Sequence, residues 1–296
     1  MIARLSFACG LTWLLCCSGV VQAYCRTSTC STCARDPDTG CTLGGTPVAW
    51  PAACVSFSMQ EGASSTIQLD AATSLMREAF AVWENARCGD AGDKPAIAVS
   101  DAFGPAVCKT PQYNMRAGNA NVVLFRDDVW PYTGVGRELA ATWITVDGHG
   151  EIFDADIEIN ATGPLSVPTP DGLSLGVIVD QHDLFSIMVH EAGHFLGLDH
   201  SRVDGSVMQA ELASGVTRTV LSADDEAAIC GVYPPRAATA ACDPAPRHGF
   251  AAQCAGEDSG CSVTHPGRDN TGAGWTALLG AVGLVRACSS RRRRCA

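Results

Sequence analysis

The stretch HEAGHFLGLDH, His190 to His200, constrains this chain more than any other. His190 and His194 are four residues apart, so an α-helix is what brings both imidazoles to one face. On that helix the two rings can reach one metal ion at about 2.0–2.1 Å. Gly197 follows three residues later and suits the positive-φ conformation that ends a helix and turns the chain. The turn returns His200 to the same point as a third ligand. Three neutral imidazoles leave one zinc position open for water, the arrangement of a catalytic rather than a structural site. Glu191, beside the first ligand, is placed to take that water's proton.

A lone HExxH is often a surface helix with two histidines, but Gly197 and His200 argue against that reading here. The extended pattern HExxHxxGxxH resembles that of the metzincin zinc proteases. Asp183 to Ser201, DLFSIMVHEAGHFLGLDHS, is similar to the active-site helix of the matrixins, in which a serine follows the third histidine. The resemblance implies a zinc endopeptidase of α+β fold, with a twisted mixed sheet, an active-site helix, a Met-turn and a C-terminal helix. It implies zinc on His190, His194 and His200, with Glu191 as the catalytic base.

Met208, eight residues beyond His200, falls at the Met-turn, the apolar floor beneath the metal. Gln209 and Ala210 depart from the tyrosine and proline that commonly follow in matrixins. Leu139, Ala140 and Ala141 fall where the family's edge strand takes a peptide or protein substrate by strand addition. Many matrixins also bind calcium and a second, structural zinc. Asp154, Asp156 and Glu158 offer oxygens for calcium. Ile152 replaces the histidine expected before Phe153-Asp154, so no structural zinc of the family type is expected; His149 and His182 read as loop histidines. The cysteine-switch motif PRCGxPD, a source of latency in the family, is absent from the sequence. A reading from a different class is a catalytically silent, zinc-bearing surface domain for binding or adhesion. Glu191 argues against it, because a silent domain has no need of the base. His200 and Met208 disfavour a non-proteolytic metallohydrolase.

Periodicity places the other elements. Val48-Ala49-Trp50 and Val55 to Met59 flank Pro51 and read as an interrupted first strand. Asp70 to Ala86 is a helix with Asp70 as its cap and an apolar stripe at Leu75, Ala79, Val82 and Trp83. Ala96 to Val99 and Val122 to Phe125 are short buried strands. Leu139 to Val146 and Ile152 to Ile159 flank Asp147-Gly148-His149-Gly150 as a hairpin. Ala161 to Asp180 is a loop, and Asp183 caps the histidine helix. A final helix from Ser222 to Cys230 opens on acids that suit its N-terminus.

Segments 1–23, 24–44, 45–235, 236–271 and 272–296 are expected to be, in order, a signal peptide, a cysteine-rich segment, the catalytic domain, a linker and a sorting tail. Residues 1–23 carry an apolar run and end on the A-x-A-like Val21-Gln22-Ala23. A lipoprotein signal is disfavoured by the leucines before Cys16. Of sixteen cysteines, ten lie in the body of the chain, an even number that fits disulfides in an exported protein. Cys242 and Cys254 are expected to clip a small loop in the linker; Cys30 and Cys33 also admit a metal or redox reading. The apolar run Gly272 to Val285 is shorter than the ~20 residues a spanning helix needs. With Cys261 and Arg291 to Arg294 it resembles the tripartite sorting tails of myxobacterial surface proteins, implying transient contact with membrane or sorting machinery. The formal charge of −11 becomes more negative once those arginines leave, which excludes nucleic acid as a partner. A monomer, secreted or held at the cell surface, is expected.

Overall fold

The computed structural model describes residues 24–132, 138–167, 181–236, 242–253 and 284–287. The expected signal peptide, Cys261 and the arginine cluster lie outside the described residues. Past Pro51 the chain runs as β1 (Cys54–Ser56) and β2 (Ser58–Met59). Before Pro51, Ala49 joins the sheet through an isolated bridge to Glu151, and past it the expected single run is further split, since β1 and β2 take different partners. After helix α1 (Leu69–Glu84) come β3 (Ala98–Ser100) and β4 (Val122–Arg126). β1 pairs with β3, while β2 pairs with β4, both in parallel.

The hairpin forms as β5 (Ala140–Val146) and β6 (Ile152–Asn160), antiparallel with Thr142 opposite Ile157. Asp147 shapes its turn by accepting from the backbone of His149 at 2.9 Å and Glu151 at 3.0 Å. Two short strands, β7 (Leu165–Ser166) and β8 (His182–Asp183), pair in parallel just before helix α2 (Leu184–Phe195). Helix α3 (Ala223–Val232) follows, and β9 (Leu284–Ala287) ends the described chain. The main sheet has the order β2-β4-β6-β5-β9, with β5 antiparallel to β6 and β9 parallel to β5. This mixed sheet with helices is the α+β fold expected.

Helix α1 buries Ala72, Met76, Ala79, Phe80 and Trp83, a helical stripe that faces α2 and the sheet. The expected stripe is turned slightly, since Leu75 and Val82 are only partly buried. The helix also begins earlier than expected. Gln68 is its N-cap without a side-chain bond, and Asp70 sits inside the first turn, where its charge suits the helix dipole. Phe80 packs 5.3 Å from Phe57 and 4.9 Å from Phe195, ring centre to ring centre, linking sheet, α1 and α2. The Trp83 indole donates to the Val189 carbonyl at 2.7 Å, so α1 also holds the histidine helix by a polar bond. Among the described residues no helix is long and apolar enough to cross a membrane.

Four disulfides are described: Cys25–Cys41, Cys30–Cys33, Cys54–Cys242 and Cys88–Cys230. Cys108 is disulfide-bonded as well. The expected clip of Cys242 to Cys254 is corrected, because Cys242 reaches back 188 residues to Cys54 beside β1. Cys30 and Cys33 form a disulfide rather than a metal site.

Candidate metal centre

Helix α2 starts where expected. The Asp183 carboxylate accepts from the backbone N–H of Ser186 at 2.8 Å and from its hydroxyl at 2.6 Å. That satisfies a donor the helix itself leaves open. His190 and His194 then project one turn apart, with their Nε2 atoms 3.0 Å from each other. Gly193 lies between them because nothing larger fits. A Cβ there would overlap the Met208 sulfur and lie 2.8 Å from the Trp83 ring. After the helix, Gly197 has φ +92 and the chain turns back, bringing His200 to the same point. The ligand atoms of the three histidines lie within 4.8 Å of one another.

Backbone carbonyls decide which nitrogens are bare. His190 Nδ1 lies 2.7 Å from the Val207 oxygen and His194 Nδ1 lies 2.8 Å from the Leu198 oxygen. A carbonyl only accepts, so each Nδ1 carries the proton and each Nε2 presents a lone pair. Burial lowers the basicity of His190, helped by the charge of His194 and opposed by the Val207 carbonyl. Burial likewise lowers His194 and His200. The Nε2 of His200 is buried without a hydrogen-bond partner. Three lone pairs aimed at one point repel unless a cation separates them. An all-nitrogen set of this kind fits zinc.

Glu191 is fully buried beside the triad. Its Oε2 accepts from the Thr142 hydroxyl at 2.6 Å, while Oε1 has no hydrogen-bond partner. Burial pushes this carboxyl up to about 8, and the Thr142 hydroxyl opposes the rise. Thr142 had no signal in the sequence, because a threonine is common in strands and its partner lies 49 residues away. Asp225 was legible only as an acid at a helix start. It completes a capping box with Ser222 and also accepts from the Ser206 hydroxyl at 2.6 Å and the Val207 N–H at 2.9 Å. Asp225 thereby ties α3 to the turn that carries Met208 and to the carbonyl that orients His190. Met208 is buried under Gly193.

The remaining expected residues divide. Leu139, Ala140 and Ala141 are all buried, and Leu139 borders an open cleft of about 340 Å³ with Asn160, Pro164 and His182. The outer edge of β5 carries β9 from Trp143 to Val146, beyond the residues expected to take substrate. Asp154, Asp156 and Glu158 share one face of β6 and are all buried. Two of these acids, expected as oxygens for calcium, are held by protein donors. Asp156 accepts from the backbone of Val122 at 2.7 Å and Gln112 at 2.8 Å. Glu158 pairs with Arg126 and accepts from the Trp143 indole at 2.7 Å and from Tyr132. Asp156 and Glu158 therefore tie β6 to its neighbours in the sheet and to the loop at Gln112. Among the described residues, the triad is the only group of three or more such side chains close enough for one ion. His149 is exposed in the hairpin turn, and Ile152 is a core residue.

Comparison with known proteins agrees with this geometry. Residues 119–234, which include β4 to α3, match the Matrixin family of peptidases. The chain is 25% identical over 198 residues to Matrix metalloproteinase-C of Caenorhabditis elegans, covering 65% of this chain and 30% of that protein. It is 30% identical over 106 residues to Probable matrix metalloproteinase 095L of Invertebrate iridescent virus 3, covering 36% and 26%. It is 35% identical over 103 residues to Metalloendoproteinase 2-MMP of Arabidopsis thaliana, covering 35% and 25%. The chain thus spans less than a third of the length of each of these relatives. These similarities support a matrixin-like metalloprotease.

Proposed function

We propose that this chain is an exported zinc endopeptidase that hydrolyses peptide bonds of extracellular proteins, with Glu191 as its catalytic base. One observation carries the reading: three bare imidazole nitrogens converge beside a buried carboxylate with one oxygen to spare. Zinc held by His190, His194 and His200 would supply Lewis acidity and an acidified water at neutral pH. The chain's own residues do the remaining work. Thr142 holds Oε2 of Glu191, leaving Oε1 to accept a proton and later pass it to the leaving amine. A cation at the triad favours the ionised form of Glu191 against the effect of burial. Val207 and Leu198 fix the tautomers of His190 and His194, and Met208 floors the site. Leu139 at the cleft offers the start of β5 to an extended peptide. The disulfides support an oxidising, extracellular setting.

Casein zymography of the full chain tests this reading. A clearing band that vanishes with a chelator and returns with zinc is expected. A zinc-loaded, folded protein that clears neither casein nor a mixed peptide library would instead support a silent binding domain.

A further inference from the structure

The segment before the matched region packs on the turn that carries His200. Residues 25–27 lie antiparallel against 197–199, the turn between the histidine helix and His200. The Thr27 N–H donates to the Gly197 oxygen at 3.0 Å, and the Asp199 N–H donates back to the Cys25 oxygen at 3.0 Å. Between these bonds, the Thr27 hydroxyl donates to the Leu198 oxygen at 2.9 Å. That same oxygen accepts from His194 Nδ1 at 2.8 Å. One carbonyl therefore takes both of its hydrogen bonds from Thr27 and a ligand, and Thr27 fixes the direction in which it holds the ring.

Asp199 provides a second link. Its Oδ1 accepts from the His200 N–H at 2.8 Å, and its Oδ2 faces the Arg35 guanidinium at 3.1 Å. Arg35 is itself held by the Gly40 oxygen at 2.9 Å. Further along, Arg202 donates to the Pro37 and Asp38 oxygens. The Cys25–Cys41 disulfide closes this segment into a loop lying over residues 197–202. Cys25 and Thr27 are buried by the contact.

We propose that the segment Tyr24–Cys41 is a disulfide-locked clamp on the metal-binding turn, with Thr27 and Arg35 as positioning residues for His194 and His200. Metal retention then depends on the clamp beyond any effect on overall stability. The physical reason is preorganisation. The turn from Gly197 to His200 must be ordered for three ligands to converge, and a turn ordered in advance does not spend metal-binding energy on that ordering. Groups that hold the far side of a metal ligand typically change metal affinity by about 10–100-fold when removed. The proposal rests on the zinc reading above.

The test uses the full chain and two measurements, zinc affinity by chelator competition and the visible spectrum of the cobalt-substituted protein. The Cys25→Ser, Cys41→Ser double variant should bind zinc about 10–100-fold more weakly. Thr27→Val should weaken zinc binding by about tenfold and alter the cobalt spectrum, and Thr27→Ser should restore both. Arg35→Ala should act in the same direction, with Arg35→Lys recovering part of the loss. Cys54→Ser with Cys242→Ser, which unties the chain elsewhere, should lower the unfolding temperature and leave zinc affinity at the wild-type value. If Thr27→Val and Arg35→Ala bind zinc like the wild type, the clamp is overturned. It is also overturned if the Cys54, Cys242 pair weakens zinc equally, since affinity would then follow stability alone. Failure of the wild type to bind one zinc would overturn the zinc reading itself, and the clamp with it.

Discussion

Both ends of the described body are tied down by disulfides, and the two ties differ in what they reach. The N-terminal tie, Cys25–Cys41, spans 16 residues and lies against the turn that delivers His200. The C-terminal tie, Cys54–Cys242, spans 188 residues and anchors a segment on the far side of the sheet. There the Asn119 N–H donates to the Gly249 oxygen at 2.9 Å, and Phe250 stacks on Phe103 with ring centres 4.9 Å apart. Arg247 lies over the Phe153 ring at 3.7 Å. Loop-closure entropy favours the long tie as a stabiliser, by about 5 kcal/mol against roughly 3 kcal/mol for the short one in the chain-entropy model. Proximity to the ligands favours the short tie as a determinant of metal binding. Stability and function are therefore assigned to opposite ends.

Glu191→Gln sets the upper end of the scale and involves neither tie. It keeps the side chain's size but removes the proton acceptor, so turnover should fall by about 10²–10⁴-fold with zinc content unchanged. His200→Ala should lose the metal itself. Metal content by plasma emission, measured beside peptide hydrolysis, separates the two; full turnover with zinc bound in Glu191→Gln would sink the mechanism.

Next in size is the long tie. Cys54→Ser with Cys242→Ser should cost about 2–5 kcal/mol in urea unfolding of the metal-stripped protein. A cost below that of the Cys25, Cys41 pair would reverse the assignment of stability to the C-terminal end.

Thr142→Val removes a hydrogen bond to a charged group, for which about 1.5–3 kcal/mol is typical. Turnover should fall by roughly 10–100-fold at unchanged zinc affinity. This pattern is the inverse of that expected for Thr27→Val, and finding the same pattern in both would erase the distinction between base and clamp. The smallest effect belongs to Phe250→Ala. Loss of a partly buried stacked ring should lower stability by about 1 kcal/mol, read as a shifted urea midpoint, and leave peptide hydrolysis untouched.

The elements legible in the sequence are those whose cause is local. Four-residue spacing placed His190 and His194 on one helical face, and Gly197 suits the turn by its positive φ. Asp183 caps its helix as read, and Ser222 caps the helix expected to start there, since a cap bonds within three residues of itself. Asp70 misled for a related reason: one more residue of helix before it turns a cap into a first-turn acid, and local preference barely separates the two. The alternation of β6 put Asp154, Asp156 and Glu158 on one face, but alternation cannot say what faces them.

The sequence by itself determined that His190 and His194 share a helical face with Glu191 beside them, that the chain turns at Gly197, and where the long strands and helices lie, because hydrogen-bond spacing and helical pitch act over a few residues. Tertiary structure alone decided that Thr142 holds Glu191 from 49 residues away. Only the fold brings Thr27 to Leu198 across 171 residues, Cys242 to Cys54, and Arg126 to Glu158. These contacts join segments whose own preferences say nothing about one another. They are settled by which faces remain to be buried once the sheet and the two long helices have packed, and that is a property of the whole chain.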